Sequence, residues 1–165
     1  MVLRILQLIL TSAVIAAATI VNAATDYSSV LSATQSFLEN RTFKNEDGVL
    51  LTFGLLHISG RNMSEINATL RLKTGEVSNF REKIWGNEGQ TFVEQFVDDQ
   101  TIGRFIVSVE APYHVLRMRP LNPGEGDFIS RECAFDARKD LHVCYFKMKH
   151  DHDVFISTFW ETRNP

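Results

Sequence analysis

Trp85, with Asn79 upstream and Glu88 three residues downstream, brings together residue types suited to holding a sugar. An indole offers a flat apolar face to the carbon side of a sugar ring, and Asn and Glu make directional hydrogen bonds to hydroxyls. The same stretch also fits a plainer role, because a strand Trp packs and Gly86-Asn87 favours a turn. The cluster His150-Asp151-His152-Asp153 is the nearest approach to a metal or acid/base site. Alternate residues of a strand share a face, so His150 and His152 could address one ion. Two imidazoles without distant ligands do not make a zinc site, and the cluster reads as a solvated hairpin turn between Lys149 and Val154. Asp98-Asp99 likewise reads as a turn, since a calcium loop needs more oxygen ligands at regular spacing. The sequence contains no Gly-rich phosphate loop and no GxSxG. The chain therefore reads as a non-enzyme, with no cofactor and no metal.

The two cysteines, Cys133 and Cys144, flank AFDARKDLHV, which reads as strand, turn, strand. They are symmetric about Arg138-Lys139, which places them opposite each other across a hairpin and predicts a disulfide in an oxidising compartment. Three N-glycosylation sequons occur, Asn40-Arg41-Thr42, Asn62-Met63-Ser64 and Asn67-Ala68-Thr69, and their asparagines are expected to face solvent.

Residues 1–23 read as a signal peptide cleaved after Ala23, with an uncleaved N-terminal anchor as the alternative. Arg4 supplies a positive start, the run from Ile5 to Val21 is apolar, and Val21-Asn22-Ala23 has small residues where cleavage needs them. The reading predicts a secreted, extracellular protein without a membrane span in its mature part. Loss of Arg4 takes the formal charge from −3 to −4. A mildly acidic chain without a basic block argues against nucleic acid as a partner. The remaining 142 residues suffice for one domain with a core.

Residues 24–36 read as an N-terminal arm, helical or extended. From Val49 onward strands dominate: Val49–Ser59, Ile66–Lys73, Val77–Ile84, Gln90–Val97, Arg104–Glu110, Tyr113–Met118, Asp127–Phe135, His142–Lys149 and Val154–Trp160. Period-two alternation marks several of them, as in Phe105-Val107-Val109, and Gly and Pro punctuate the intervals. Nine strands with short connections imply an antiparallel sandwich or barrel. Trp160, among alternating apolar residues, is expected to pack in the core.

The order of short motifs resembles that of the galectin domain. Gly54-Leu-Leu-His-Ile-Ser-Gly60 is similar to that family's opening strand, Val77-Ser-Asn79 to its valine-x-asparagine, and Trp85-Gly-Asn-Glu88 to its Trp-Gly-x-Glu. His152-Asp153-Val-Phe-Ile156 resembles its closing strand. The resemblance spans roughly Phe37 to Glu161, places a domain at residues 37–165 and implies an all-β, two-sheet, jelly-roll-like sandwich that binds β-galactosides on a concave face. It implies carbohydrate-binding residues at Arg71, Lys73, Asn79, Trp85 and Glu88. Arg71 and Lys73, with Gly75, replace the family's His, Asn and Arg, and Gln90 stands where an Arg is expected, so the galactoside site is degenerate. The implied partners are glycans or glycoproteins. The alternative is a sandwich that has lost sugar binding and acts through protein–protein contacts. A barrel for small apolar ligands is a third reading, drawn from the strand count alone.

Overall fold

The computed structural model describes residues 23–163 apart from 112, 113 and 125. Residues 1–22, most of the expected signal peptide, lie outside the described residues. The strands are β1 (Ala23–Ala24), β2 (Thr42–Lys44), β3 (Leu50–Gly60), β4 (Met63–Arg71), β5 (Val77–Asn87), β6 (Gln90–Val97), β7 (Gln100–Glu110), β8 (Val115–Pro120), β9 (Phe128–Asp136), β10 (Leu141–His150) and β11 (Asp153–Glu161). One helix, α1 (Tyr27–Phe37), lies between β1 and β2. All nine strands expected from Val49 onward are present.

Their assembly is not the expected two-sheet sandwich. From β2 to β11 each strand pairs antiparallel with its neighbour in sequence, and β11 pairs with β2 through Trp160↔Lys44 and Glu161↔Phe43. The result is one closed ten-stranded up-and-down barrel. A jelly-roll sandwich would send successive strands to different sheets; here every connection is a local hairpin or short loop. Closure rests on β2, three residues long and too short to register in a periodicity reading. Alternation is the same in the wall of a barrel and in a sandwich, so it does not distinguish them.

The apolar side of each strand faces inward. Cross-strand partners share a face, and the pairs Ile66↔Glu82, Ala68↔Phe80, Thr91↔Val107 and Val109↔Leu116 all point to the interior. The outer wall carries an alternating charge ladder, Glu65↔Lys83↔Glu94↔Arg104, running across β4 to β7. Opposite charges facing each other across strands stabilise this wall in water. A membrane barrel has the reverse arrangement, with apolar residues outside and polar residues within. Among the described residues no helix is long and apolar enough to cross a membrane.

Helix α1 plugs one end. Asp26 caps its N-terminus by accepting from Ser29 N over 3.0 Å and from the Ser28 and Ser29 hydroxyls. These bonds, the one from Ser28 foremost, hold the Asp26 carboxyl down at about 2. Val30, Ala33, Phe37 and the following Leu38 are buried in the same core as the barrel interior, so the segment read as an arm is part of the domain. Gly86 permits the docking: a Cβ there would sit 2.6 Å from Tyr27 Cβ. At the same end Arg41 and His142 both contact the Glu161 carboxylate, His142 Nδ1 at 3.0 Å. Burial alone would raise the Glu161 pKa; the hydrogen bonds from His142 and Arg41 outweigh it and hold the carboxyl below its ordinary value.

Cys133 and Cys144 are directly opposite on β9 and β10 and form a disulfide. The turn between these strands, 137–140, centres on Arg138-Lys139, as the symmetry of the sequence requires.

Candidate functional site

The end away from α1 is the mouth of the barrel, which among the described residues no helix covers. There β7 begins, β8 ends and β9 begins, and they frame a cavity of about 540 Å³. Its lining includes Gly103, Phe105, Pro120, Phe128 and Met148. The size falls within the usual range for small-molecule sites, roughly 300–1,000 Å³. Phe105 and Phe128 meet edge to face with centroids 5.4 Å apart. The Phe105 ring lies over Gly103, where a Cβ would come within 2.5 Å of it.

Deeper in the barrel is a charged pair. Glu82 on β5 and Arg131 on β9 project inward from nearly opposite walls, four strands apart in a ring of ten. Arg131 Nη1 donates to Glu82 Oε1 over 2.5 Å and Nη2 to Oε2 over 2.9 Å. Their side chains are 5 % and 1 % exposed. Gln95 Nε2 donates to Glu82 Oε1 over 2.7 Å, and the guanidinium lies 5.4 Å from the centre of the Phe53 ring. The register places Phe105 opposite Pro120, one step nearer the mouth than Met118, which is opposite Arg131. The two phenylalanines therefore stand between the mouth cavity and the ion pair. The Ser64 hydroxyl also faces the interior, fully buried and without a protein hydrogen bond.

The residues read from sequence as carbohydrate-binding are elsewhere. Arg71, Asn79 and Trp85 lie on the outer wall, Lys73 in the β4–β5 turn and Glu88 in the β5–β6 turn. Asn79 and Trp85 are six residues apart on one strand, about 20 Å at the usual rise. Asn79 accepts a hydrogen bond from Thr69 Oγ1 and lines a hollow with Arg81, Phe96 and Asp99. Glu88 borders a different hollow, beside Tyr27 and Arg61. Its φ of 49°, followed by Gly89 at 75°, marks a two-residue hairpin turn. Trp85 is half-buried and stacks on Phe92 at 5.7 Å. The Trp-Gly-Asn-Glu motif thus supplies an outer-wall stack, a seat for Tyr27 and a turn. Trp160 is also half-buried on the outer wall rather than in the core, with the Lys139 ammonium 5.8 Å from its ring centre.

Residues 150–153 form the β10–β11 hairpin turn, with His150 opposite Asp153. Among the described residues no group of three or more His, Cys, Asp or Glu side chains is placed to hold a metal. No family model matches the chain, and no curated protein or solved structure matches it.

Sequence reading missed Glu82 and Arg131, although each carries a signal. In Phe80-Arg81-Glu82-Lys83-Ile84 the acid takes the place of an apolar residue in the alternation. In Arg131-Glu132-Cys133 the arginine shares the face of a cysteine that must be buried to meet its partner. A charge on the apolar face of a strand predicts a buried partner.

Proposed function

We propose that this protein is a non-catalytic carrier. It takes a small, largely apolar molecule through the open mouth and holds its polar end against the Glu82–Arg131–Gln95 cluster. The observation that carries the reading is the bidentate ion pair inside a barrel whose inward face is otherwise mainly apolar. Stability does not demand it, since well-packed apolar residues of similar volume hold a core as well or better than a buried ion pair. Fixed donors and acceptors converging among apolar side chains are what recognition of a polar headgroup requires. The mouth cavity lies directly over the aromatic pair, and the unpartnered Ser64 hydroxyl faces the interior nearer the capped end.

The test is displacement of an environment-sensitive fluorophore by three alkyl series bearing amine, carboxylate or hydroxyl heads. At least one series is expected to compete, with affinity rising with chain length. The double variant Glu82→Met/Arg131→Met is expected to stay folded and lose preference among heads. If calorimetry detects no binding of any series to the folded protein, the reading fails.

Sugar binding at the outer wall is the second reading, favoured by the half-exposed Trp85–Phe92 stack with Glu88 nearby. A glycan array probed with the protein and with Trp85→Ala separates the two. Glycan binding abolished by Trp85→Ala and indifferent to Glu82→Met/Arg131→Met would select the lectin.

A further inference from the structure

We infer that the wall of β3 and β4 towards the capped end is covered by N-linked glycans on Asn40, Asn62 and Asn67, which shield an apolar surface there. All three asparagines are exposed. The fold also gathers them around the apolar residues that β3 and β4 expose on the outer wall, Leu55 and Met63 at 70 % and 37 %. Leu55 follows Gly54, whose carbonyl accepts from Asn40 N over 3.1 Å. On its other side is Asn67, whose carbonyl would lie 3.5 Å from a Cβ on Gly54. Met63 follows Asn62 directly and pairs with Trp85 on the outer wall, whereas Ile58, paired with the inward Ser64, belongs to the rim. Leu55 and Met63 therefore each have an acceptor asparagine as a neighbour along the chain or across the ladder.

The mouth is different. It exposes Leu72, Val77, Ile102, Leu121 and Val154, yet no sequon lies in its loops. Glycans would cover one end and leave the opening clear.

In the modification, the asparagine side-chain nitrogen attacks C1 of an oligosaccharide carried on a lipid diphosphate. The N–C1 bond forms and the C1–O bond to phosphate breaks. The lipid diphosphate leaves with the bonding electrons, and the amide proton passes to a base of the host transferase. The transferase must also reach the sequon hydroxyl. Ser64 is 0 % exposed with its Oγ inward, and Thr69 Oγ1 is bonded to Asn79. Transfer to Asn62 and Asn67 therefore precedes closure of β4 into the barrel. The inference requires passage through a secretory pathway and is independent of the ligand-binding proposal.

The test is expression of the full chain in a glycosylating secretory host, followed by intact mass before and after peptide N-glycosidase. Three glycans are expected, each lost in turn in Asn40→Gln, Asn62→Gln and Asn67→Gln. The deglycosylated protein is expected to bind an apolar-surface dye several-fold more strongly and to self-associate on size exclusion. Leu55→Ser should reverse both changes. An unmodified secreted chain would overturn the inference. So would a deglycosylated protein with unchanged dye binding and unchanged elution.

Discussion

Arg131 and Glu82 are 49 residues apart in sequence and meet inside the barrel, with Nη2 donating to Oε2 over 2.9 Å. The pair ties β9 to β5 across the interior, where no backbone ladder joins them.

Removing one member leaves the other charged and enclosed. Arg131→Met alone, or Glu82→Met alone, is expected to destabilise by about 3–5 kcal/mol. The double substitution is expected to fall within about 1 kcal/mol of the parent, because both desolvation costs go together. Urea melts of the four proteins form a double-mutant cycle. Additive single effects would mean that the pair is not coupled in solution.

The disulfide closes a short loop between strands that already pair. Replacing both cysteines with alanine is expected to cost about 3 kcal/mol on the chain-entropy model, read from the shift in urea midpoint. Cys133 and Cys144 are 1 % and 0 % exposed. Thiol-specific labelling under reductant should therefore be slow in native buffer and fast above the unfolding midpoint. Rapid reduction of the native protein would show that this part of the wall opens on its own.

Much of this wall was legible before the fold was known, and the reasons are local. Cys133 and Cys144 could be placed across a hairpin because the turn residues centre their spacing. Phe105, Val107 and Val109 announced an inward face by alternation. Closure was not legible, because it depends on Thr42–Lys44, three residues with no periodicity to read, meeting Trp160 and Glu161 from the far end of the chain. The distance between Asn79 and Trp85 was hidden for a related reason. Asn79 and Trp85 share a face by parity, but parity says nothing of the length of strand between them.

Asp26 makes the capped end sensitive to acid. Its carboxyl is held at about 2 in the folded protein, below its ordinary value near 4, first by the hydrogen bond from Ser28. The folded pKa is depressed, so the stabilisation is complete above about pH 4 and is lost as the pH falls towards 2. Asp26→Ala is expected to cost about 1 kcal/mol at pH 7, the usual worth of an N-cap. The difference between parent and variant should shrink below pH 4 in urea melts buffered from pH 7 downwards. A difference independent of pH would assign the loss to packing rather than to the charged cap.

Gly103 and Phe105 share the inward face of β7, two residues apart, and the ring lies over the glycine. Gly103 has ordinary strand backbone, so alanine is tolerated conformationally and the conflict is one of space. Its Cβ would lie 2.5 Å from Phe105 Cζ and 2.8 Å from Cε2, and the ring must leave its contact with Phe128. Overpacking of this kind costs about 1–3 kcal/mol. Gly103→Ala is expected to lower stability by that amount, and Phe105→Leu, which vacates the space, is expected to recover part of it. The double variant should then be more stable than the sum of the single effects by about 0.5 kcal/mol or more. Because this ring stands between the mouth cavity and the ion pair, Gly103→Ala should also change fluorophore affinity while leaving the Glu82–Arg131 coupling energy unchanged. Equal fluorophore affinity in parent and Gly103→Ala would place the route to the interior away from Phe105.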